Sequence, residues 1–253
     1  MADILIRGFE PRKDLKEIQM LVGMSAMEQL AIANRQAYAH PLALSLWLGF
    51  ASILIQVLHL WPHGSGSNGW LGYLAPLPIL ACTAVPVMFG IDWVHRPHFE
   101  KLLRIKVKSL TTALPNPVVS NANTNSKSPK SSKPHFLVME YKNTPIGYVM
   151  FQPCTKGNQY RMTHFHVDSP YRRAGVGYDL LLRGVEDLKD ADVFGVTTGL
   201  TPYVTECLQS VGFKVNQEAL TIWDEHKDQD ADLDKEPILW VNNQKTGWRL
   251  TRS

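Results

Sequence analysis

Residues 163–177 read THFHVDSPYRRAGVG, and this segment is the most informative in the chain. An alternating run predicts a strand that ends near Val167, and a glycine-containing loop leads from it into a helix that begins near Gly175. Glycines let a backbone approach a ligand closely and point successive N–H groups at it. Because the unpaired N–H groups and the dipole of a helix N-terminus attract anions, the segment suits a pyrophosphate.

Two other nucleotide-binding loops do not fit this segment. No Lys-Ser or Lys-Thr pair follows the glycines, so a nucleoside-triphosphate P-loop is unsupported. The nicotinamide fingerprint requires a third glycine and an early βαβ unit, and the sequence offers neither. A lone Gly-x-Gly pair more often marks a structural turn than a ligand site. The residues around the pair must therefore decide between these two interpretations.

The segment resembles the pyrophosphate loop of the GNAT superfamily of acyl-CoA N-acyltransferases, whose pattern is Arg/Gln-x-x-Gly-x-Gly/Ala. Arg172, Gly175 and Gly177 match that pattern, and Val211-Gly212-Phe213 falls where the family ends its next helix. An apolar insert after the first strand and helix makes the chain similar to the camello-like, membrane-bound members. The resemblance spans most of residues 3–241.

That resemblance implies that acetyl-CoA, as the co-substrate, lies between the strands Tyr160–Val167 and Val193–Thr198. Val167 is then expected to hydrogen-bond the pantetheine arm, and Arg172 supplies positive charge for the polyanionic ligand. The pyrophosphate would be held by the backbone amides of Arg173, Ala174, Gly175, Val176 and Gly177. The implied chemistry is direct attack of a substrate amine on the thioester, with no metal ion.

The sequence predicts a mixed α/β fold: a GNAT-type mixed β-sheet flanked by helices, with an inserted two-helix membrane hairpin. Helical periodicity is expected after Asp14, around Leu181–Leu188 and over Thr201–Val211. The predicted strands are Ile4–Arg7, Phe136–Tyr141, Ile146–Phe151, Tyr160–Val167, Val193–Thr198, Phe213–Val215, Leu220–Trp223 and Pro237–Val241.

The stretch from Gln36 to Ile91 contains no Asp, Glu, Lys or Arg in 56 residues. Within it lie two apolar runs of 21 and 22 residues, at 41–61 and 70–91. Each run is long enough for a helix to cross a bilayer, so the sequence predicts a membrane hairpin. Because the second run contains prolines, a re-entrant hairpin that enters the membrane without crossing it is an alternative. A buried pair of helices in a soluble protein is the other alternative.

Positive charges orient this hairpin. The turn at 62–69 carries no Lys or Arg, whereas Arg35 precedes the hairpin and five basic residues follow it between Arg96 and Lys108. The positive-inside bias then places both termini in the cytosol. Residues 1–40 are too long and too charged for a secretory leader. The resemblance favours the endoplasmic reticulum.

The chain is therefore expected to consist of five segments. They are the N-terminal strand and helix at 1–40, the membrane hairpin at 41–91, a basic membrane-proximal segment at 92–119, a flexible loop at 120–134, and an acetyl-CoA-binding catalytic core at 135–253.

Two histidines on the strand before the glycines are the candidate catalytic bases. His164 lies where camello-like sequences also carry histidine, and the ordinary pKa of imidazole, near 6.5, suits proton transfer. His166 points the same way along the strand and would replace or assist it. Glu140 is a more distant candidate. Simple packing within the sheet is the alternative for both histidines.

The expected general acid is where the sequence departs from the family. Many relatives carry a tyrosine four residues before the Gly-Phe pair to protonate the departing thiolate, but Leu208 stands there. Tyr203, Cys207 and Tyr178 are the substitutes within reach. Because a thiolate with a solution pKa near 8.5 leaves without full protonation, a missing acid slows turnover without abolishing it.

The predicted function is a membrane-anchored N-acetyltransferase that acts at the cytosolic face on a small amine or amino-acid conjugate. The alternatives are a protein lysine acetyltransferase and a non-catalytic CoA-binding membrane scaffold. A net charge of +3 argues against a nucleic-acid partner, and the three cysteines lack metal-ligand spacing. The expected partners are the amine acceptor and the lipid bilayer, while the oligomeric state stays open.

Overall fold

A computed structural model of the chain describes residues 4–60, 74, 76–113, 134–154, 158–225, 238 and 240–250. The strands among these residues are β1 Ile4–Gly8, β2 His135–Tyr141, β3 Thr144–Pro153, β4 Gln159–Val167, β5 Asp192–Thr198, β6 Phe213–Val215 and β7 Lys245–Leu250. They form a single sheet in the order β1-β2-β3-β4-β5-β7-β6, in which β4 and β5 are parallel and the other neighbours are antiparallel. The predicted mixed α/β sheet flanked by helices is confirmed.

Helices cover both faces of this sheet. They are α1 Pro11–Tyr38, α2 Pro41–Val57, α3 Leu77–Ala113, α4 Val176–Asp187, α5 Pro202–Val211 and α6 Glu218–Glu225. Proline begins α1, α2 and α5, a position at which its missing N–H costs nothing. Gly212, with φ of 101°, ends α5 in the left-handed conformation that glycine adopts freely.

Two apolar cores result from the alternation of side chains along the central strands. On one face, Val149 and Phe151 pack with Leu180 and Leu181 of α4 and with Leu208 of α5. On the other face, a second cluster joins α1, α3 and the sheet through Ile18, Val22, Leu110, Tyr148 and Met150. The sheet is thus buried on both faces, which fixes the position of β4 between α4 and the α1–α3 pair.

Helix α3 is longer than the sequence predicted. It does not end near Ile91 but continues to Ala113 through Pro86 and Pro97. In its second half, Phe99 is buried against α1 and Leu110 is buried between α1 and the sheet, so tertiary packing holds the helix together beyond its apolar run. One continuous helix therefore links the apolar segment to α1 and the sheet.

Within the described residues, one helix is long and apolar enough to cross a membrane alone, Leu77–Thr112. Helices α1 and α2 meet that criterion only as a pair bent by 63°. The predicted turn at 62–69 and all but Pro134 of the predicted flexible loop at 120–134 lie outside the described residues. The predicted division of the chain into five segments stays a prediction.

Two strand predictions near the C-terminus were wrong. Leu220–Trp223 lies in α6, which begins where the side-chain oxygen of Asn216 accepts a hydrogen bond from the N–H of Glu218 at 2.7 Å. Of the strand predicted at 237–241, residues 237 and 239 lie outside the described residues, and 238, 240 and 241 are not in a strand; the last described strand is Lys245–Leu250. The prediction failed at α6 because a run of only four residues, three of them apolar, fits either structure.

Candidate functional site

The parallel strands β4 and β5 diverge toward their C-terminal ends. They are paired only from Gln159 opposite Asp192 to Met162 opposite Gly195. Because the N–H of Asp168 donates to the carbonyl of Ile146 at 2.8 Å, the neighbouring Val167 is not hydrogen-bonded to β3. Its N–H and C=O therefore point away from β3, toward the opening between β4 and β5.

The glycine loop, residues 173–177, follows this opening. A 3-10 turn over Ser169–Ala174 leads to Gly175, whose φ of 80° lies in the left-handed region. A Cβ at Gly175 would meet nothing within 4 Å, so conformation and not space requires glycine there. The first helical bond of α4 runs from the N–H of Asp179 to the carbonyl of Gly175 at 3.0 Å, which leaves the preceding N–H groups outside the helical ladder.

Gly177 is required for a different reason. A Cβ at this position would overlap the hydroxyl of Tyr203 and lie 2.9 Å from Sγ of Cys207. Glycine thus lets α5 approach the first turn of α4 closely. The two glycines of the motif therefore have distinct roles. Gly175 allows the left-handed conformation of the loop, and Gly177 leaves room for α5 to pack against the first turn of α4.

The guanidinium group of Arg172 is hydrogen-bonded to other groups of the protein. Its Nε donates to the carbonyl of Val167 at 2.8 Å, and its two Nη atoms donate to the two carboxylate oxygens of Glu28, with Nη2 at 2.5 Å from Oε2. Its guanidinium also lies 4.9 Å from the centre of the Tyr203 ring. The positive charge predicted to face a phosphate is therefore already paired, and the carbonyl of Val167 already has a donor.

A cavity of about 90 Å³, called here the histidine cavity, opens beside this ion pair. Its walls come from α1, from the C-terminal half of β4 and from the loop that leads into α5. The lining residues are Ser25, Glu28, Gln29, Ile32, Phe165, His166, Arg172, Leu200, Thr201, Pro202, Tyr203 and Val204. A volume of this size holds about three water molecules.

His166 is the histidine that faces this cavity. Its side chain is 7% exposed, and its ring lies 6.2 Å from that of Tyr148. Burial, followed by the nearby charge of Arg172, lowers the pKa of His166 to about 4. The imidazole is therefore neutral at physiological pH and has a lone pair with which to accept a proton.

His164 lies on the same face of β4 but contacts α3. Its Nε2 is 3.1 Å from both the carbonyl oxygen of Lys106 and Oγ of Ser109. A carbonyl only accepts, so Nε2 carries the proton. Burial lowers the pKa of His164 to about 4, and His164 does not line the histidine cavity. Of the two candidate bases, His166 alone lines the histidine cavity, and the choice between them stays a prediction.

Glu140, the third candidate base, belongs to an ion cluster at the β1 edge of the sheet. Arg7 donates to it through Nε at 2.6 Å and to Asp14 through both Nη atoms at 2.7 Å. Lys13 donates to it at 3.1 Å. These hydrogen bonds, with Arg7 foremost, hold the pKa of Glu140 below its usual range. Glu140 joins β2 to β1 and α1, and it does not line the histidine cavity.

Among the candidate acids, the structure brings Tyr203 to the cavity. Its ring stacks on Phe165 at 6.3 Å, and burial raises the pKa of its hydroxyl. Leu208 is fully buried in the core, and Cys207 is a buried thiol whose pKa is raised by burial. Tyr178 lies on the exposed side of α4. In the part of the chain that is described, no group of three His, Cys, Asp or Glu side chains could hold a metal ion.

No pattern in the sequence pointed to Glu28. It lies in α1 among many polar residues, 144 positions before its partner Arg172. Its carboxylate keeps a lowered pKa because Arg172 donates two hydrogen bonds to it. A long-range pairing of this kind has no local pattern, so only the folded chain reveals it.

The acetyltransferase (GNAT) family model matches residues 109–207, from the end of α3 to α5. No curated protein sequence matches the chain significantly. A solved structure of PaiA N-acetyltransferase from Thermoplasma acidophilum with coenzyme A is similar at 12% identity and a TM-score of 0.43, with 99% of each chain covered. The ribosomal-protein-S18-alanine N-acetyltransferase from Escherichia coli is similar at 11% identity and a TM-score of 0.38, with 57% of this chain and 75% of that chain covered.

The chain spans 68% and 63% of two further bacterial acetyltransferase chains. The part of the chain that the family model matches includes β2 to β5, the glycine loop and both histidines.

Proposed function

Because the acetyltransferase (GNAT) family model matches residues 109–207, we propose that this chain is a membrane-anchored N-acetyltransferase. It transfers the acetyl group of acetyl-CoA to the amine of a small molecule or amino-acid conjugate at the cytosolic face. The observation that carries the proposal is the meeting of three features at the end of β4: the opening toward β5, the glycine loop and the cavity with a neutral His166.

The residues present fit acetyl-CoA in two respects and depart from expectation in one. The N–H of Val167 points into the opening, and the left-handed Gly175 leads into the first N–H groups of α4, which lie outside its helical ladder. Arg172 does not meet the expectation that it supplies charge for the ligand, because its charge is paired with Glu28. The diphosphate would then be held by the backbone amides of residues 173–177, with exposed Arg173 as the nearest cation whose side chain faces solvent.

When bound, acetyl-CoA supplies a thioester whose carbonyl carbon accepts an amine. The chain's own task is to hold the acceptor in the histidine cavity and to remove its proton. His166 takes that proton on its neutral imidazole. Tyr203, which faces the same cavity, is positioned to donate a proton to a departing thiolate.

The direct test of this function is amine-dependent release of free CoA by the full chain in detergent. A panel of small amines and lysine-containing peptides separates the alternatives. Release with small amines supports the proposal, whereas release with peptides alone supports a protein lysine acetyltransferase. Binding of CoA without release by any acceptor would instead indicate the non-catalytic scaffold.

The apolar surface of α2 and α3 supports membrane anchoring. The side chain of Trp47 on α2 donates to Oγ1 of Thr83 on α3 at 3.1 Å, which ties the two helices together. Their outer surfaces expose large apolar side chains at Leu42, Leu44, Leu46, Leu48, Phe50, Ile53, Val57, Leu77, Val85, Met88, Phe89, Trp93 and Val94. A soluble monomer rarely exposes a contiguous apolar patch of this kind, so lipid is the natural solvent for it.

The anchoring proposal predicts that the full chain stays in the membrane fraction after an alkaline carbonate wash and leaves it only with detergent. Glycosylation tags at both termini should remain unmodified, because both ends face the cytosol. A tag placed within residues 62–69 decides between the two hairpin forms: modification indicates a spanning hairpin, and its absence a re-entrant one. Recovery of the washed protein in the soluble fraction would contradict the proposal.

A further inference from the structure

The histidine cavity contains one acidic and one basic side chain of fixed charge, Glu28 and Arg172, and these two are paired with each other. All other described lining residues are neutral or apolar, since His166 is uncharged near pH 7. The distribution of charge therefore bears directly on which acceptors the cavity admits. This argument rests on the function proposed above.

The guanidinium of Arg172 has little left to offer a ligand carboxylate. Three of its N–H groups donate within the protein, one to the carbonyl of Val167 and two to Glu28. Its charge is compensated by the bidentate carboxylate. An acceptor with a carboxylate beside its nitrogen would bury that carboxylate next to Glu28 and without an uncompensated cation among the described lining residues, which is unfavourable.

The carboxylate of Glu28, in contrast, can accept further hydrogen bonds. A carboxylate offers about four lone-pair sites, and Arg172 uses two of them. The Glu28 side chain is 37% exposed, so an incoming ligand can reach it. An ammonium group with three donors is the complementary partner, and the neutral imidazole of His166 lines the same cavity.

The size and walls of the cavity limit the rest of the ligand. About 90 Å³ suffices for a chain of a few carbon atoms, and the surfaces of Ile32, Phe165 and Leu200 are apolar. We propose that the Glu28–Arg172 pair makes the histidine cavity selective for short, unbranched primary amines that carry no carboxylate next to the amino group. Glu28 binds the ammonium, and the paired Arg172 leaves no site for an acceptor carboxylate.

The test compares n-butylamine with norvaline, which differs from it by one carboxylate on the carbon next to nitrogen. Binding of each to the CoA-saturated full chain in detergent is measured by calorimetry, and CoA release from acetyl-CoA is measured separately. We expect n-butylamine to bind at least about tenfold more tightly than norvaline. If it binds with this preference but is never acetylated, the selectivity stands and the proposed enzymatic function fails.

Glu28→Gln supplies the second arm, with Glu17→Gln on the exposed side of α1 as the matched control. Loss of the Glu28 charge should weaken binding of n-butylamine by about tenfold or more and strengthen binding of norvaline, because Arg172 is released. Glu17→Gln should leave both affinities unchanged. Equal affinities in the unaltered protein, or an equal loss for both ligands in Glu28→Gln, would overturn the inference.

Discussion

Replacing His166 by glutamine is expected to lower kcat for acetyl transfer by about 100- to 10,000-fold, the usual contribution of a positioned general base. Glutamine preserves approximate size and hydrogen bonding but cannot take up the proton of an ammonium group. His166 is the one histidine among the residues that line the cavity, so no described neighbour of the same kind replaces it. Steady-state kinetics with the best amine, at saturating acetyl-CoA, measure the effect.

His164→Gln is the matched control, because the two histidines share a strand, a face, deep burial and a pKa lowered to about 4. Its imidazole contacts α3, so we expect kcat to stay within about threefold of the unaltered protein, even where the free energy of unfolding falls. A larger loss in His164→Gln than in His166→Gln would contradict the assignment of the base.

The pH dependence of kcat/KM provides an independent readout of the same assignment. Only the neutral imidazole of His166 accepts a proton, and its pKa is lowered to about 4 by burial and by Arg172. Activity should therefore be retained as the pH falls below the ordinary histidine range and should decline only as it approaches that value. His166→Gln should lack this decline.

A negative charge in the glycine loop is expected to weaken CoA binding by about 100-fold. At Gly175, aspartate and asparagine both tolerate a positive φ better than other residues, and a Cβ there meets nothing within 4 Å. Two unit charges 5 Å apart repel by about 3 kcal/mol at an effective dielectric constant near 20, so a carboxylate beside the diphosphate is costly.

Gly175→Asn provides the size-matched control for Gly175→Asp. We expect the asparagine variant to lose no more than about tenfold in CoA affinity, because it adds the same bulk without charge. Calorimetric titration of both variants measures the difference. Equal affinities for Gly175→Asp and Gly175→Asn would mean that the diphosphate lies elsewhere.

The central strands and the glycine loop were predictable because their signals are local. Short apolar or alternating runs predicted β2 to β4, and the glycines together with the helical periodicity that follows them predicted α4. The extent of α3 was not predictable in this way, because its second half is held by packing of Phe99 against α1 and of Leu110 against α1 and the sheet. The strand predicted at 220–223 was wrong because so short a run does not distinguish a strand from a short helix.

At the site, the sequence identified residue types but not their partners. The glycines and the two histidines were found from the motif, yet nothing local separates His166, which faces the cavity, from His164, which faces α3. The pairing of Arg172 with Glu28 joins residues far apart in the chain, and it redirects a side chain that the motif assigns to phosphate. Which histidine faces the cavity and which residue pairs with Arg172 both depend on tertiary contacts, and these are not visible in a short stretch of sequence.

Titration of CoA and of pantetheine into the full chain in detergent tests the central claim most directly, because pantetheine lacks the diphosphate that residues 173–177 are proposed to hold. We expect saturable one-to-one binding of CoA, at least about 100-fold tighter than that of pantetheine. Absence of CoA binding, or equal affinities for the two ligands, would contradict this account of the site.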